Sequence, residues 1–200
     1  MDRPWNDIGK EGKDMAYFPL FISMEHLPCL VVGGGKVALR KVNTLLEYGA
    51  KVTVVAPDLE KELEKIPGIT IQKRKFISSD LDGMELVFAA TSDEECSRRL
   101  SELCRERRIL VNVADVPEEC DFYFPALARR GDVVVGVSTG GKSPAAAKKI
   151  KEKIDACLPS SLSDFIEETG ELRADILDSG QKPEENEEYN RRVEEYFKDL

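Results

Sequence analysis

The sequence predicts an α/β protein: a Rossmann-like parallel sheet followed by a small mixed region of β-hairpin and helix. Three observations predict it. Short apolar runs alternate with helically spaced apolar residues between Cys29 and Val113. A glycine-rich turn follows the first run and opens the first helix. After Asp115 the alternation stops, and two strand-like runs precede a helical remainder.

Taken in order, Cys29–Val32 is a short apolar run ending in three glycines, the pattern of a buried strand. Val37–Tyr48 carries Val37, Leu45, Leu46 and Tyr48 at helical spacing, with Gly49 as a stop. Lys51–Ala56 reads as a second strand, broken by Pro57. A short helix is expected over Leu59–Lys65, then strands at Ile69–Gln72 and Glu85–Ala90. Between Glu94 and Arg107 the apolar residues Cys96, Leu100, Leu103 and Cys104 mark a helix, and Ile109–Val113 a further strand. Such alternation implies parallel strands with helices on both faces. Phe122–Phe124 and Asp132–Ser138 are strand-like, with a turn near Arg130-Gly131 that suggests a hairpin. From Ser143 onward the pattern is helical, interrupted near Pro159 and between Gly180 and Pro183. The division expected is a flexible extension over 1–15, a nucleotide-binding domain over 16–114, a mixed strand region over 115–146 and a helical region over 147–200.

Composition narrows the function classes. Of 200 residues, 42% are hydrophobic, enough for a packed core. No apolar run approaches the ~20 residues that cross a bilayer. The polar N-terminus lacks the apolar core of a signal peptide. A soluble cytoplasmic protein, with no membrane partner, is expected. The five cysteines are odd in number and include no C-x-x-C pair, which argues for reduced, mostly packed thiols over a disulfide framework or a metal site. The formal charge of -9 is uneven: Asp164–Leu200 holds 13 acidic and 5 basic residues. The rest is nearly neutral, so nucleic acid is not an expected partner.

The segment Val31–Ala38 matches G-x-G-x-x-G/A through Gly33, Gly35 and Ala38. Gly33 permits the tight turn, Gly35 lets backbone approach a pyrophosphate, and Ala38 lets the helix pack closely on the strand. The helix N-terminus then presents free amides and a positive dipole end to phosphate. The strand–turn–helix context favours dinucleotide binding over a bare glycine turn. The acid that usually closes the second strand is absent: Ala56-Pro57 stand there, followed by Asp58. Asp58 either turns back to the ribose or caps the next helix. No arginine stands nearby for a 2′-phosphate, although Lys61 could serve, so NAD is favoured over NADP.

Short-chain dehydrogenase chemistry is excluded, because no tyrosine is followed four residues later by lysine. The only histidine, His26, precedes the first strand and is expected on the surface, without a role. Tyr17–Phe21, the glycine segment through Lys41, Ala89-Ala90-Thr91, Val111–Asp115 and Val137–Pro144 occur in an order that resembles the precorrin-2 dehydrogenases. That family includes the N-terminal part of bifunctional and trifunctional sirohaem synthases. The resemblance covers residues 15 to 160.

The resemblance implies NAD-dependent oxidation of precorrin-2 to sirohydrochlorin, in sirohaem biosynthesis. Carried over by position, Asp115 matches the family's key aspartate. Lys36, Val37, Pro57 and Asp58 match cofactor positions, and Gly33, Gly35 and Ala38 of the glycine segment, with Thr91, are read as cofactor-binding beside them. Ser138 falls where the family lines its tetrapyrrole cleft, and Thr139, Gly140, Lys142 and Ser143 of the same loop are read as substrate-binding beside it. The family also lacks the usual Rossmann acid, so Ala56 does not count against a dinucleotide. A homodimer with intertwined C-terminal regions is implied too; packing within one subunit is the alternative for Ile150, Ile154, Leu158, Leu162, Phe165 and Ile166.

As read from the chain itself, Asp115 follows a strand end and can take a proton as hydride leaves, or orient a pyrrole N–H, or simply close a turn before Pro117. Ser143 is the expected cap of a helix beginning at Pro144, whose loop amides could hold a carboxylate. Lys148, Lys149, Lys151 and Lys153 are read as a solvated face, and Lys142 as the better substrate contact. Two further functions compete. One adds insertion of ferrous iron or cobalt by the same chain, with Asp115 serving both steps. The other, from a different class, is a non-catalytic nucleotide-sensing module, disfavoured by Ala56 and by the presence of Asp115 with the S-x-G-G loop. An appended methyltransferase domain of ~200 residues is not expected on length.

Overall fold

A computed structural model describes residues 17–198. The extension expected over 1–15 lies outside them. Contacts divide the described chain into two units, Phe18–Phe124 and the part beginning at Pro125.

The first unit contains β1 (Pro28–Val32), α1 (Lys36–Glu47), β2 (Lys51–Val55), α2 (Lys61–Glu64), β3 (Thr70–Gln72), β4 (Leu86–Ala89), α3 (Glu94–Arg107) and β5 (Leu110–Val113). The five strands form one sheet in the order β3-β2-β1-β4-β5, and every pairing is parallel. The fold class read from the sequence is the one found. Register is level at the carboxyl edge: Val32 stands beside Val55 and Ala89, and Ala89 beside Val113. The chain leaves β1 for β2 on one side and reaches β4 on the other. The β1–β4 boundary is therefore the topological switch point, where ligands of open α/β sheets bind.

Strand alternation builds two cores. Leu30, Val32, Val87 and Ala89 face α3 through Leu100, Leu103 and Cys104. Cys29, Val31, Val54 and Phe88 face α1 through Ala38, Val42 and Leu45, with Leu63 of α2 beside them. Each fully buried Leu or Val in these layers contributes about 2 kcal/mol, which holds the sheet edge rigid beneath its loops. Helix ends obey local chemistry. Asp93 caps α3 by accepting from the Cys96 amide at 2.9 Å, and Arg105 and Arg107 occupy its last turn, opposite the acidic Glu94 and Glu95. Gly49, at φ +78°, ends α1 as its position in the sequence suggests.

The second unit contains an antiparallel hairpin, β6 (Ala126–Arg130) and β7 (Val133–Val137), joined through Gly131-Asp132 with Gly131 at φ +58°. A two-stranded hairpin is marginal alone. Here α4 (Pro144–Cys157) packs on both strands. Arg130 ties them by donating to the carbonyls of Asp155 (3.2 Å) and Leu158 (3.4 Å) at the helix end. α5 (Leu162–Asp178) and α6 (Glu187–Lys198) follow. Phe165 stacks on Tyr196 with ring centroids 3.9 Å apart, so this apolar face is partly used within the chain.

Two local expectations are overturned. Phe122–Phe124 is not a strand. Its rings instead pack edge-on against Phe88, at 5.5 Å for Phe122 and 5.2 Å for Phe124, so burial draws the apolar run inward without any ladder partner. The helix expected over Leu59–Lys65 is a single turn, Lys61–Glu64, beginning after Glu60. Asp58 therefore does not cap it, because its backbone is committed to packing on the glycine loop.

Candidate functional site

The glycine loop crosses the switch point, and its three glycines have different tasks. Gly33 has φ +128°, and a Cβ there would run into the Ala90 carbonyl at the end of β4. Its amide donates to Val55 O at 3.0 Å, so the turn is pinned between β2 and β4. Gly34 is required by packing as well: a Cβ would collide with the Asp58 carbonyl, while the Glu60 amide donates to Gly34 O at 2.8 Å. Gly35 differs from both. It lies at φ -85°, ordinary for any residue, and a Cβ there would meet nothing within 4 Å. Nothing inside the protein demands glycine at 35. The open space over its backbone is where a second molecule can approach closely.

Gly35 is also the N-cap of α1, and being glycine it supplies no side-chain cap. The amides of Lys36, Val37 and Ala38 therefore face outward with the positive end of a 12-residue helix behind them. A diphosphate fits this arrangement, with backbone donors in place of side chains. Ala38 is fully buried against the sheet, which brings the helix start close to β1.

Beside the loop opens a cleft of about 900 Å³, lined at the strand ends by Gly33, Ala56, Pro57 and Thr91. The Thr91 hydroxyl accepts from the Asp93 amide at 3.2 Å, which fixes the turn into α3. Pro57 and Asp58 are exposed at the rim of β2. The same cleft is lined by Lys75, Arg98 and Arg99. The expectation that no arginine stands near Ala56 is thus corrected: α3 brings two arginines into the cleft from 42 residues or more along the chain.

Asp115 stands just past the level end of β5. Its residue adopts φ +63°, and the preceding Ala114 amide donates to Ala89 O at 2.9 Å. The turn thus sits over the strand neighbouring the glycine loop, with the Asp115 side chain exposed. A left-handed non-glycine residue at a strand end is a strained position worth noting at a site.

Beneath this edge lies a polar cluster that the sequence reading did not single out. Lys41 of α1 is only 8% exposed, and its Nζ donates to Asn112 Oδ1 at 2.6 Å. The same Nζ lies 5.2 Å from the ring centroids of both Phe88 and Phe124. Burial pushes its ammonium down to about 8, with Arg40 acting in the same sense and Cys120 and Asp115 opposing it. A signal existed: Asn112 interrupts an apolar strand, and a buried amide needs a partner. Its partner stands three residues after Ala38, on the helix face that Val42 and Leu45 also use.

In the second unit, the Ser138–Ser143 loop is closed on itself. Ser138 Oγ accepts from the Gly140 amide (3.2 Å), Thr139 Oγ1 from the Ser143 amide (3.1 Å), and Thr139 O from the Lys142 amide (3.1 Å). Ser143 caps α4 by accepting from Ala146 at 3.2 Å, and Pro144 occupies the first helical position. Among the described residues no group of three His, Cys, Asp or Glu side chains is arranged to hold a metal ion.

Residues 20–126 match the family model described as "Putative NAD(P)-binding". The chain belongs to this NAD(P)-binding family. A second model, "Sirohaem biosynthesis protein central", matches residues 130–156 of this family member. Among curated relatives, the NAD(P)-binding chain is 38% identical to a siroheme synthase of Methylococcus capsulatus over 84% of its own length and 36% of the relative's. It is 45% identical to a siroheme synthase of Thioalkalivibrio sulfidiphilus over 74% of its length and 31% of the relative's. It thus spans about a third of the curated relatives it matches. Among solved structures it is similar to "SirC, precorrin-2 dehydrogenase", with TM-score 0.69, 26% identity and 79% of each chain covered. The resemblance read from the motifs is the one these comparisons find.

Proposed function

We propose that this chain oxidises precorrin-2 to sirohydrochlorin, with NAD as hydride acceptor. The observation that carries the reading is the α1 terminus: an uncapped helix start, an open space over Gly35, and a cleft at the switch point. Similarity to SirC, a precorrin-2 dehydrogenase, suggests the substrate.

In this reading the amides of Lys36, Val37 and Ala38 hold the diphosphate, and Gly33 and Gly35 leave room for it. Pro57, Asp58 and Thr91 border the rest of the dinucleotide. When bound, the nicotinamide ring supplies a two-electron acceptor. Asp115 accepts the proton that the macrocycle releases as its hydride departs, so one C–H and one further proton-bearing bond of the substrate are broken together. In the second unit, Ser138, Thr139, Gly140, Lys142 and Ser143 form a polar loop suited to the carboxylates of a tetrapyrrole. The protein acts in the cytoplasm as a homodimer, which sedimentation at micromolar concentration tests.

The deciding experiment is anaerobic incubation of the purified protein with precorrin-2 and NAD, followed by absorbance. Appearance of the sirohydrochlorin spectrum with stoichiometric NADH supports the reading; an unchanged spectrum against the enzyme-free blank rejects it. NADP run in parallel tests whether the arginine-lined cleft selects between dinucleotides. Adding ferrous or cobaltous ion after oxidation tests metal insertion by the same chain.

A further inference from the structure

Lys41 is costly to keep where it is. It lies on the inner face of α1 between Ala38, Val42 and Leu45, where an apolar side chain would pack without desolvating a charge. Among the described residues its ammonium has one hydrogen-bond acceptor, Asn112 Oδ1, and two aromatic faces. Asn112 is in turn fully engaged: its Nδ2 donates to Phe122 O at 2.9 Å and approaches Cys120 Sγ at 3.5 Å. The Cys120 thiol donates to Val113 O at 3.1 Å and lies 3.2 Å from the Val113 amide. Two more bonds close the segment. Asp121 Oδ2 accepts from the Val111 amide at 3.0 Å, and the Asp121 amide donates to Val111 O at 2.8 Å. Residues 114–121 are therefore a loop stapled to β5 at both ends, with Asp115 at its start and Lys41 underneath its anchor.

We propose that Lys41 is a positioning residue for Asp115: it ties the helix that begins at the glycine loop to the strand that carries the aspartate, and sets a buried positive charge behind it. The proposal rests on the reading of Asp115 as proton acceptor. The charged and titratable groups that face Lys41 are Arg40 from its own helix and Cys120 and Asp115 from the stapled loop; β4 and the 122–124 segment place the rings of Phe88 and Phe124 beside it. Burial holds the ammonium at about 8, within reach of an assay. Above that pH the Nζ still donates to Asn112 while its charge is gone, so charge and geometry separate experimentally.

The test compares wild type, Lys41→Met and Asn112→Asp in NAD-dependent precorrin-2 oxidation across pH 6 to 10. For Lys41→Met we expect kcat to fall on the order of 10–100-fold with KM for NAD within about twofold. The wild-type loss of rate above about pH 8 should disappear in that variant. Asn112→Asp places a carboxylate on the ammonium and should move the alkaline limb upward by about one pH unit or more. An unchanged kcat and alkaline limb in Lys41→Met overturns the proposal. So does a parallel loss of NAD affinity, which would mark Lys41 as a structural support of the glycine loop. Should Lys41→Met fail to fold, an unshifted limb in Asn112→Asp overturns it by itself. If wild type turns over no precorrin-2, the functional reading fails separately. Amide exchange of Val113–Phe122 then decides: faster in the variant supports the tie, unchanged protection removes it.

Discussion

Helices α1 and α4 both start where a glycine-bearing loop leaves a strand, and their first turns are finished in opposite ways. At α1 the cap position is Gly35, which offers no side chain, and the space above it is open. At α4 the cap is Ser143, bonded to the Ala146 amide, with Pro144 removing one donor outright. The α4 loop also turns the amides of Gly140, Lys142 and Ser143 onto its own Ser138 and Thr139. The contrast extends down the helices. α1 buries Lys41, whereas in α4 Lys149 forms an exposed pair with Glu152 and Lys151 a half-buried pair with Asp155. Two glycine loops that look alike in sequence therefore differ in what they leave unsatisfied. The α1 terminus is built with free donors for an anion, while the α4 terminus has already satisfied most of its own and offers mainly side chains.

The comparison breaks most visibly at Gly33. Gly33→Ala forces a methyl into the Ala90 carbonyl at a left-handed φ, and should cost about 4 kcal/mol, read by urea unfolding. The equivalent change at Gly140, which also has positive φ but open space around it, should cost only about 1 kcal/mol. Equal losses would mean that backbone strain alone, and not the approach of β4, explains Gly33.

Next in size is the buried lysine. Between about pH 8 and 10.5 the unfolded chain holds a proton on residue 41 that the folded chain has released, so stability contributed by this group rises with pH. Across that window wild type should gain up to about 3 kcal/mol relative to Lys41→Met. Lys149→Ala, at an exposed pair, should leave stability almost unchanged, with no such pH dependence. A flat difference between wild type and Lys41→Met would show that the ammonium is solvated.

Gly35→Val sharpens the claim that the α1 loop is open for a ligand. The variant should melt within about 2 °C of wild type, yet bind NAD 10–100-fold more weakly by calorimetry, about 1.4–2.7 kcal/mol. Retained affinity would remove the diphosphate from this loop. A smaller effect on binding belongs to α4: Ser143→Ala should lower stability by about 1 kcal/mol and leave NAD binding unchanged. A loss of NAD binding in that variant would contradict the division of labour between the two termini.

Much of this was legible in the chain. The parallel sheet follows from apolar runs of strand length alternating with helical spacing, since each strand buried on both faces must be nearly all apolar. Gly33 and Gly35 were readable because their spacing sits between a strand and a helix. The failures are equally physical. Phe122–Phe124 has the composition of a strand, and only the presence of Phe88 beneath it decided that its rings would bury without pairing. Asp58 has the residue type of a helix cap, yet the need to close the loop over Gly34 took its backbone elsewhere.

What the sequence determined by itself is what depends on near neighbours: strand and helix periods, the turn glycines, the Ser143 and Gly49 helix boundaries, and the charge imbalance of the last 37 residues. What only tertiary structure decided depends on residues far apart in the chain. Lys41 meets Asn112 across 71 positions, and Arg98 and Arg99 reach the cleft beside Ala56. Local preferences act within a few residues, whereas desolvation and charge pairing depend on which surfaces the folded sheet brings face to face.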